Sequence, residues 1–363
     1  MKQEILFNFH LKKWVRKILK WVAETTAYLK GHRFYCNALN GGSGYNIVIN
    51  SDMTVSCNCQ DYDGSGHIGN LNKETWEEVF KNSTSQRFRE ELAKGHLPID
   101  TCARCVELRT IPKKDALLHR DNYQLPKKGI MIENTVLCNF ACTSCSRSVQ
   151  NVRTKKSLSL DDIKKLSALI KEKQIESVCF FNLGEPFLSK TIYEELEILR
   201  KENPNLSIHM STNGTLLDTD KKREAAMMLS HIGVSIDGVG NEAVLKYQKR
   251  GNFEKAYKNM KDLVSYRNSK GLKKPTILWY YVLFNWNDKK EMILKAIEMA
   301  RESGVDSIVF QPTKSPWYGI SLRYYLGQFI KNLGSEHQGG RIIKFLSTSL
   351  VEKEEDYSKK HWN

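Results

Sequence analysis

Six short apolar runs, separated by amphipathic stretches, dominate the chain from about residue 128 onward. The runs are GIMIENTVL, SVCFFNL, LSIHMST, HIGVSID, TILWYYVLF and DSIVFQP, and each has the length of a strand. Segments with helical periodicity, such as SLDDIKKLSALIKEK and KKEMILKAIEMARESG, lie between most of them. Alternating strands and helices predict a parallel sheet covered by helices. Six units are too few for an eight-stranded barrel, so we predict an α/β core domain at 128–325, a partial (β/α)6 TIM-like barrel.

A cysteine-rich segment at 34–105 precedes this core. The stretch YNIVINSDMTVSCNC predicts two short strands around a turn at Asn50-Ser51-Asp52. The stretch NKETWEEVFKNSTSQRFREELAKG predicts one or two helices ending at Gly95. We therefore expect a small α+β domain here. Residues 106–127 are interpreted as a linker, and residues 326–363 as a C-terminal tail that carries no cysteine.

The first 33 residues predict a basic amphipathic helix. Its apolar positions share one arc: Leu11, Trp14, Val15, Ile18, Leu19, Trp21 and Val22. Basic residues fill the opposite side: Lys12, Lys13, Arg16, Lys17 and Lys20. Such a helix either packs its apolar arc against its own domain or lies on an anionic membrane surface.

Composition narrows the function only partly. The chain has 363 residues, of which 40% are hydrophobic, enough for a core, and no apolar run reaches the length of a membrane span. Nine cysteines without a secretory signal indicate metal binding or catalysis, and we expect a cytoplasmic protein. A net charge of +15 suits nucleic acid, an anionic membrane or anionic substrates alike. A zinc-bearing nucleic-acid-binding protein is one alternative, but no motif that reads bases is present, so we expect no nucleic-acid partner.

The stretch CNFACTSC places Cys138, Cys142 and Cys145 at a C-x3-C-x2-C spacing directly after the first strand. A disulfide framework would need an oxidising compartment. A structural zinc site would need a fourth ligand. Three thiolates can also hold an iron–sulfur cubane with one iron left open, where a cofactor or substrate could bind.

Polar residues follow the next strands at the same predicted edge. Glu185, within NLGEP, could accept hydrogen bonds from an ammonium group. Ser235 and Asp237, within SIDG, are two residues apart and so share one strand face, where they could bind ribose hydroxyls. The stretch STNG, with Ser211 and Asn213, adds small polar groups. Together with an open iron, these groups describe a site for a nucleoside that carries an amino acid.

These motifs resemble those of the radical S-adenosylmethionine (radical SAM) superfamily. The resemblance rests on the three-cysteine motif, on Leu183-Gly184-Glu185-Pro186 after strand two, on VSIDG in strand four and on the following NEAVLKYQKRGNFEKAYKNM. It implies a [4Fe–4S] cluster on the three cysteines, S-adenosylmethionine (SAM) on its open iron and a 5′-deoxyadenosyl radical that abstracts hydrogen. A reductant such as flavodoxin or ferredoxin would supply the electron.

The cofactor contacts implied by this resemblance include Phe140. Many members have an aromatic residue near the adenine, just before the third cysteine, where this chain has Ser144. We therefore expect Phe140 to serve instead. The full expected set is Phe140, Gly184, Glu185, Pro186, Ser211, Asn213, Ser235 and Asp237.

Residues 34–105 resemble the SPASM/twitch type of auxiliary-cluster domain, which usually follows the barrel rather than preceding it. INSDMTVSC, the segment GHIGNLNKETWEEVFKNSTSQRFREELAKG and CARC carry this resemblance. The implied ligands of a probable auxiliary [4Fe–4S] cluster are Cys36, Cys57, Cys102 and Cys105, with Cys59 competing with Cys57. The same four thiols could hold structural zinc. Cys179, inside an apolar strand, is expected to be plain core.

We therefore expect a radical SAM enzyme that acts on a small molecule, such as a sugar or glycan-like compound. If the N-terminal helix lies on a membrane, a membrane-linked substrate is the natural candidate. The alternative is a radical SAM enzyme that modifies a peptide. The sequence leaves open whether the reaction is that of an oxidoreductase, an epimerase or a dehydratase.

Overall fold

The computed structural model describes residues 2–59, 61–150, 152–326, 336–338 and 341–345, with side chains described at 13–59, 61–150 and 152–326. The chain divides into two compact units. The first unit comprises Met1–Leu137, Ser146–Gly184 and Ile198–Ser207. The second unit comprises Cys138–Cys145, Glu185–Glu197 and Ile208–Asn363.

Helices and strands alternate along most of the described chain. The helices are α1 Lys2–Leu29, α2 Trp76–Lys81, α3 Ser83–Lys94, α4 Lys113–Asp121, α5 Leu160–Lys173, α6 Ile192–Glu202, α7 Asp220–Met227, α8 Asn241–Tyr247, α9 Phe253–Ser269, α10 Lys290–Ser303 and α11 Leu322–Tyr325. The strands are β1 His32–Cys36, β2 Val48–Ile49, β3 Thr54–Ser56, β4 His67–Asn70, β5 Leu108–Pro112, β6 Ile130–Ile132, β7 Ser177–Cys179, β8 Ser207–Thr212, β9 His231–Ser235, β10 Thr276–Leu283, β11 Ser307–Pro312, β12 Glu336–Gln338 and β13 Arg341–Phe345.

Both units contain parallel strands, and the first unit combines them with antiparallel pairs. In the first unit, β7, β6 and β2 are parallel neighbours, and β3 and β4 continue from β2 in antiparallel fashion. In the second unit, β8, β9, β10 and β11 are parallel neighbours, with Thr212 opposite Val234 and Ser235 opposite Tyr280. The six predicted strands are thus β6 to β11. The predicted α/β class with a partial TIM-like barrel is confirmed.

Alternating burial along the strands separates a core face from a polar face. In β8, Ile208 and Met210 are buried, whereas Ser211 is half-buried. In β10, the largest buried side chains are Trp279 and Tyr281. Because side chains alternate across a strand, burial of one set leaves the other set free to form a site.

Local sequence signals set the helix ends in the cysteine-rich segment. α2 begins at a capping box in which Thr75 and Glu78 satisfy each other's backbone donors. α3 ends at Gly95, whose φ of 101° is left-handed and favours glycine. The segment predicted to form one or two helices forms two, and the predicted strands around Asn50-Ser51-Asp52 are confirmed.

Residues 106–127 differ from the predicted plain linker, because they contain β5 and α4. β5 pairs antiparallel with β1 along its whole length, from His32 opposite Pro112 to Cys36 opposite Leu108. Leu108 also packs against a buried cluster that includes Phe34. Pairing with β1, which the local sequence does not show, is therefore what orders this segment.

The expected tail at 326–363 lies mostly outside the described residues, which leave out 327–335, 339–340 and 346–363. Its described part contains β12 and β13, and β13 pairs antiparallel with β11. These two strands were not predicted.

The N-terminal helix packs on the first unit by a face other than its apolar arc. Ala27 is buried in the cluster with Phe34 and Leu97, and Glu24 accepts a hydrogen bond from the Leu97 backbone at 2.7 Å. Trp14 and Trp21 are 63% and 66% exposed. The interpretation in which the apolar arc packs against the helix's own domain is therefore wrong for the described residues. No helix in the described ranges is both long and apolar enough to cross a membrane.

Candidate cofactor site

The three-cysteine motif forms a compact loop within the second unit. Cys138, Cys142 and Cys145 are all half-buried, and none of the three forms a disulfide. The Cys145 backbone N–H donates to the Cys142 carbonyl at 3.2 Å, which closes a turn. The Phe140 backbone N–H donates to Cys138 Sγ at 3.4 Å. A backbone donor aimed at sulfur stabilises a thiolate, the form in which cysteine binds iron.

Amide side chains tie this loop to the end of β8. Asn139 Nδ2 donates to Thr215 Oγ1 at 2.9 Å, and Asn213 Nδ2 donates to Asn139 Oδ1 at 2.9 Å. Asn213, a predicted cofactor contact, therefore uses its side-chain donor within the protein, and a contact with SAM stays a prediction. The bonds place the cysteine loop beside the carboxyl end of a barrel strand, where chemistry is expected.

Glu185 is buried, and its carboxylate is occupied by protein donors. It accepts from Thr212 Oγ1 at 2.6 Å, from the Asn213 N–H at 2.7 Å and from the Phe187 N–H at 3.2 Å. Burial raises the pKa of this carboxyl, and the hydrogen bonds from Asn213, Thr212 and Phe187 oppose that rise. The geometry makes Glu185 a brace between the loops after β7 and β8. Its direct contact with an ammonium group stays a prediction.

The neighbours of Glu185 in the motif also have local structural roles. A Cβ on Gly184 would lie 2.0 Å from the Thr135 carbonyl oxygen and 2.8 Å from the Leu137 carbonyl oxygen. Only glycine allows this approach to the backbone just before the cysteine loop. Pro186 is buried and begins a short 3₁₀ turn at Pro186–Leu188.

The structure brings together the polar residues predicted at the ends of β8 and β9. Ser211 Oγ and Ser235 Oγ are 3.2 Å apart, and both side chains are half-buried. Asp237 is buried and accepts from the Val282 N–H at 2.9 Å. Burial raises the pKa of Asp237 to about 7, against the lowering effect of that hydrogen bond. The two serine hydroxyls therefore lie together, and their contact with ribose hydroxyls stays a prediction. Asp237 uses one carboxylate oxygen for the backbone of β10.

Tyr247 is an aromatic residue at this site that the sequence did not single out. Burial raises the pKa of its phenol well above the ordinary value, with further contributions from the nearby Cys142, Asp237 and Cys145. Its ring packs against Phe284 at 4.7 Å. Phe140, the aromatic residue expected at the adenine, is only 4% exposed. Tyr247 lay within the stretch that carried the family resemblance, but nothing in its spacing indicated proximity to the cysteines.

The auxiliary cysteines form a second group, within the first unit. Burial raises the pKa of the Cys57 thiol, and Cys36 and Cys102 raise it further. Burial likewise raises the pKa of Cys36, with contributions from Cys105 and Cys102. Burial raises the pKa of Cys59 to about 12, and Cys105 adds to this rise, whereas Cys59 itself raises the pKa of the buried Cys179. The choice of Cys57 over Cys59 as the fourth ligand stays a prediction.

The chemistry of both thiol groups suits iron–sulfur clusters. None of the nine cysteines, all of which lie in the described residues, forms a disulfide. In the described residues, no three side chains from Cys, His, Asp and Glu converge as a ready-made metal site. Thiolates are nevertheless the donors that iron–sulfur clusters require, three for a cluster with an open iron and four for a closed one. A four-thiol group also suits zinc, so the auxiliary group alone does not separate the two metals.

Two family profiles match the chain. The radical SAM superfamily profile matches residues 132–289, and that of the iron–sulfur cluster-binding domain SPASM matches residues 39–106. The chain therefore contains a radical SAM domain at residues 132–289. A domain of this enzyme superfamily implies a [4Fe–4S] cluster and SAM, and the SPASM domain implies auxiliary iron–sulfur binding. The SPASM match precedes the radical SAM match, and the exact domain bounds stay predictions.

Several curated relatives are similar over part of this chain. A probable GTP 3′,8-cyclase from Methanococcus maripaludis (strain C5) is 26% identical over 144 residues, 40% of this chain and 48% of the relative. The GTP 3′,8-cyclase of Chlorobaculum tepidum is 28% identical over 137 residues, 38% of this chain and 41% of the relative. The chain thus spans less than half the length of these curated relatives. Among solved structures, native anSMEcpe with bound AdoMet is 18% identical with a TM-score of 0.40, covering 55% of this chain and 59% of that one.

Proposed function

We propose that this radical SAM protein cleaves SAM reductively at a [4Fe–4S] cluster held by Cys138, Cys142 and Cys145. The observation that carries the proposal is that hydrogen bonds tie the three-cysteine loop to the polar end of β8 within one unit. When bound, the cluster and SAM supply a 5′-deoxyadenosyl radical, whose chemistry belongs to the cofactor. The protein's part is to bind, orient and exclude water.

The residues around the loop divide this work. Ser211 and Ser235 are placed to hydrogen-bond hydroxyl groups, because their oxygens lie together on the half-buried polar face. Glu185 braces the loops on which the cofactor would rest. Asp237 adds an acidic oxygen beside β10. A flavodoxin or ferredoxin is the proposed electron donor.

The auxiliary cysteines are proposed to hold a second [4Fe–4S] cluster through Cys36, Cys57, Cys102 and Cys105. The SPASM match over residues 39–106 covers three of these residues. A second cluster in this domain could carry electrons to or from the substrate.

The proposed substrate is a small molecule, sugar- or glycan-like, rather than a peptide. The curated relatives are named for GTP, a small anionic molecule that contains a ribose. A net charge of +15 suits anionic substrates of this kind. Peptide modification is the alternative, and a zinc-bearing nucleic-acid-binding protein is the remaining one.

The exposed apolar arc of α1 supports the proposal that the enzyme binds the cytoplasmic face of a membrane and acts there on a lipid-linked substrate. Trp14, Ile18 and Trp21 are exposed, and Lys13 and Lys17 are exposed on the same helix. Aromatic and aliphatic side chains enter the headgroup boundary, and each nearby basic residue adds about 1 kcal/mol on an anionic surface. Ala27 and Glu24 make the packing contacts with the first unit, so membrane binding by the exposed side chains would not require the helix to undock.

The decisive experiment compares wild-type protein with the triple variant Cys138→Ala, Cys142→Ala, Cys145→Ala, purified without oxygen. We expect about eight irons per chain in the wild type and about four in the variant. The variant should release no 5′-deoxyadenosine from SAM under reduction. Cys179→Ala, a buried cysteine in β7, is the matched control and should keep both properties. SAM cleavage by the triple variant would overturn the proposal.

The substrate class is tested by product formation. Reduced protein and SAM are incubated with nucleotide sugars, lipid-linked glycans or peptide pools, and 5′-deoxyadenosine release and mass changes are followed. Release stimulated only by peptides would favour the peptide-modifying alternative. Zinc without sulfide in the wild type would favour the nucleic-acid-binding alternative.

The membrane contact is tested by co-sedimentation with vesicles containing phosphatidylserine. Trp14→Glu with Trp21→Glu should abolish binding, whereas Leu118→Glu, an exposed leucine on α4, should not. Binding should weaken at high salt, because surface charges are screened over about 10 Å at 0.1 M. Equal sedimentation of wild-type and double-variant protein would contradict a membrane role for α1.

A further inference from the structure

Three consecutive residues after β9 contact both parts of the proposed cofactor site. Gln248 follows α8 directly, inside the stretch NEAVLKYQKRGN, and is 4% exposed. Its Nε2 donates to the Ser235 carbonyl at 2.9 Å, and its Oε1 accepts from the Asp237 N–H at 3.1 Å. One carboxamide therefore satisfies the two backbone groups that flank the end of β9.

Gln248 takes the place of a missing strand partner. β8 pairs with β9 only as far as Thr212 opposite Val234. On the opposite edge of β9, the Ile236 N–H donates to the Tyr280 carbonyl at 3.0 Å. Backbone groups of alternate residues point to opposite edges of a strand, so Ser235 and Asp237 face the edge that β8 has left. A carboxamide has the donor and the acceptor of a peptide group and can replace one.

The backbone on either side of Gln248 holds the cysteine loop. The Tyr247 carbonyl accepts from the Thr143 N–H at 3.0 Å, and the Lys249 carbonyl accepts from the Ala141 N–H at 3.0 Å. Ala141 and Thr143 flank Cys142. The segment Tyr247–Lys249 thus binds the cysteine loop through backbone hydrogen bonds. It also binds the end of β9 through the Gln248 side chain.

We propose that Gln248 is a positioning residue that sets the spacing between the three-cysteine loop and the polar end of β9. The inference rests on the proposed function, because it assumes that SAM spans these two parts. A shift in either part would move the hydroxyl-binding serine relative to the cluster ligands. Positional errors of about 1 Å are costly in such sites.

The test uses Gln248→Met, which keeps side-chain length but loses both hydrogen bonds. SAM binding is measured on the cluster-loaded protein by equilibrium dialysis, alongside iron content and thermal unfolding. We expect SAM affinity to fall about tenfold, the scale of leaving buried polar groups unmatched. Iron content should stay at the wild-type level. Lys246→Ala, an exposed residue in α8 two positions before Gln248, is the matched control and should match wild type in all three measurements.

Gln248→Glu provides a readout that a merely structural role would not move. The ionised side chain would turn an acceptor toward the Ser235 carbonyl, whereas the protonated side chain can donate to it. The ratio of SAM affinity between this variant and wild type should therefore rise from about pH 8 to about pH 6.

The outcomes separate this inference from the proposed function. No SAM binding by wild type would refute the proposed function. Wild-type binding, with equal affinity in Gln248→Met and a flat pH ratio in Gln248→Glu, would overturn the positioning role. If Gln248→Met does not fold, the pH ratio of Gln248→Glu decides alone.

Discussion

Replacing Arg153 by Met should lower the free energy of unfolding by about 3–5 kcal/mol, the cost of leaving a buried charge without its partner. Arg153 Nε lies 2.9 Å from Glu133 Oε2, and both side chains are fully buried. Arg153 Nη2 also donates to the Asp61 carbonyl at 2.8 Å. The substitution therefore removes an ion pair and a backbone hydrogen bond in one step.

The remaining donors around Glu133 cannot replace the guanidinium. Asn182 Nδ2 is 3.2 Å from Glu133 Oε1, and the backbone N–H groups of Ser51 and Leu183 are each 3.4 Å from a carboxylate oxygen. These hydrogen bonds are neutral and long, so they compensate little of the buried negative charge. The loss should consequently exceed that of an ordinary hydrogen bond, about 1 kcal/mol.

Urea unfolding of the full-length holoprotein under anaerobic conditions measures the effect. Lys164→Met, which breaks an exposed pair with Asp161 at 3.0 Å, is the control and should cost at most about 1 kcal/mol. Adding Glu133→Gln to Arg153→Met should recover a large part of the loss, because it removes the uncompensated charge. A loss in free energy of unfolding below about 1 kcal/mol in Arg153→Met would refute the reasoning that this ion pair is shielded from water and that its loss leaves a costly buried charge.

Three further outcomes are expected. Cys102→Ala or Cys57→Ala should each remove about four irons per chain and leave SAM cleavage without substrate intact. Cys59→Ala should keep the full iron content. Equal loss of iron in Cys57→Ala and Cys59→Ala would contradict the choice of Cys57 as a ligand. Glu185→Ala should weaken SAM binding by about 1–3 kcal/mol without changing iron content, measured by equilibrium dialysis; unchanged affinity would show that the brace is dispensable. The Asp237 carboxyl has a pKa of about 7 in the folded protein, against an ordinary value of 3.8. Its contribution to the free energy of unfolding is therefore full below about pH 4 and is lost as the pH rises to about 7. The loss amounts to at most roughly 4 kcal/mol. Asp237→Asn should flatten that part of a stability–pH curve, and an unchanged curve would show that another group titrates.

Strand periodicity and motif order were enough to predict the barrel strands and the cysteine loop, because both are local in sequence. Pairings between distant segments were not visible. β5 pairs with β1, whose residues lie 72 to 80 positions earlier in the chain, so the local sequence of residues 106–127 indicated only a linker. The sequence also did not predict the orientation of α1. Ala27 and Glu24 contact the first unit, whereas Trp14 and Trp21 of the apolar arc are exposed. Periodicity identifies an apolar face but not which face the fold uses.

The candidate site shows why polar residues at strand ends are hard to assign from sequence. Parallel strands of unequal length leave backbone donors and acceptors unpaired where they diverge, and each buried one needs a partner. Glu185 accepts a hydrogen bond from the Asn213 N–H. Gln248 accepts one from the Asp237 N–H and donates one to the Ser235 carbonyl. Asn287, fully buried, donates to the Asp237 carbonyl at 2.9 Å and accepts from the Phe284 N–H at 2.7 Å.

These side chains therefore hold the strand ends in place before any cofactor binds. A motif residue such as Glu185 can affect SAM affinity through the geometry of the loops it braces, without touching SAM. Ser211 and Ser235 differ from it, because their hydroxyls bond each other across neighbouring strands on the half-buried face and can exchange that bond for one to a ligand. Direct recognition should thus depend on the serines, whereas the acidic and amide residues should act through position. Variants at Glu185 and Gln248 should accordingly shift affinity for SAM and for its nucleoside fragments together, while Ser235→Ala should discriminate between ligands with and without ribose hydroxyls.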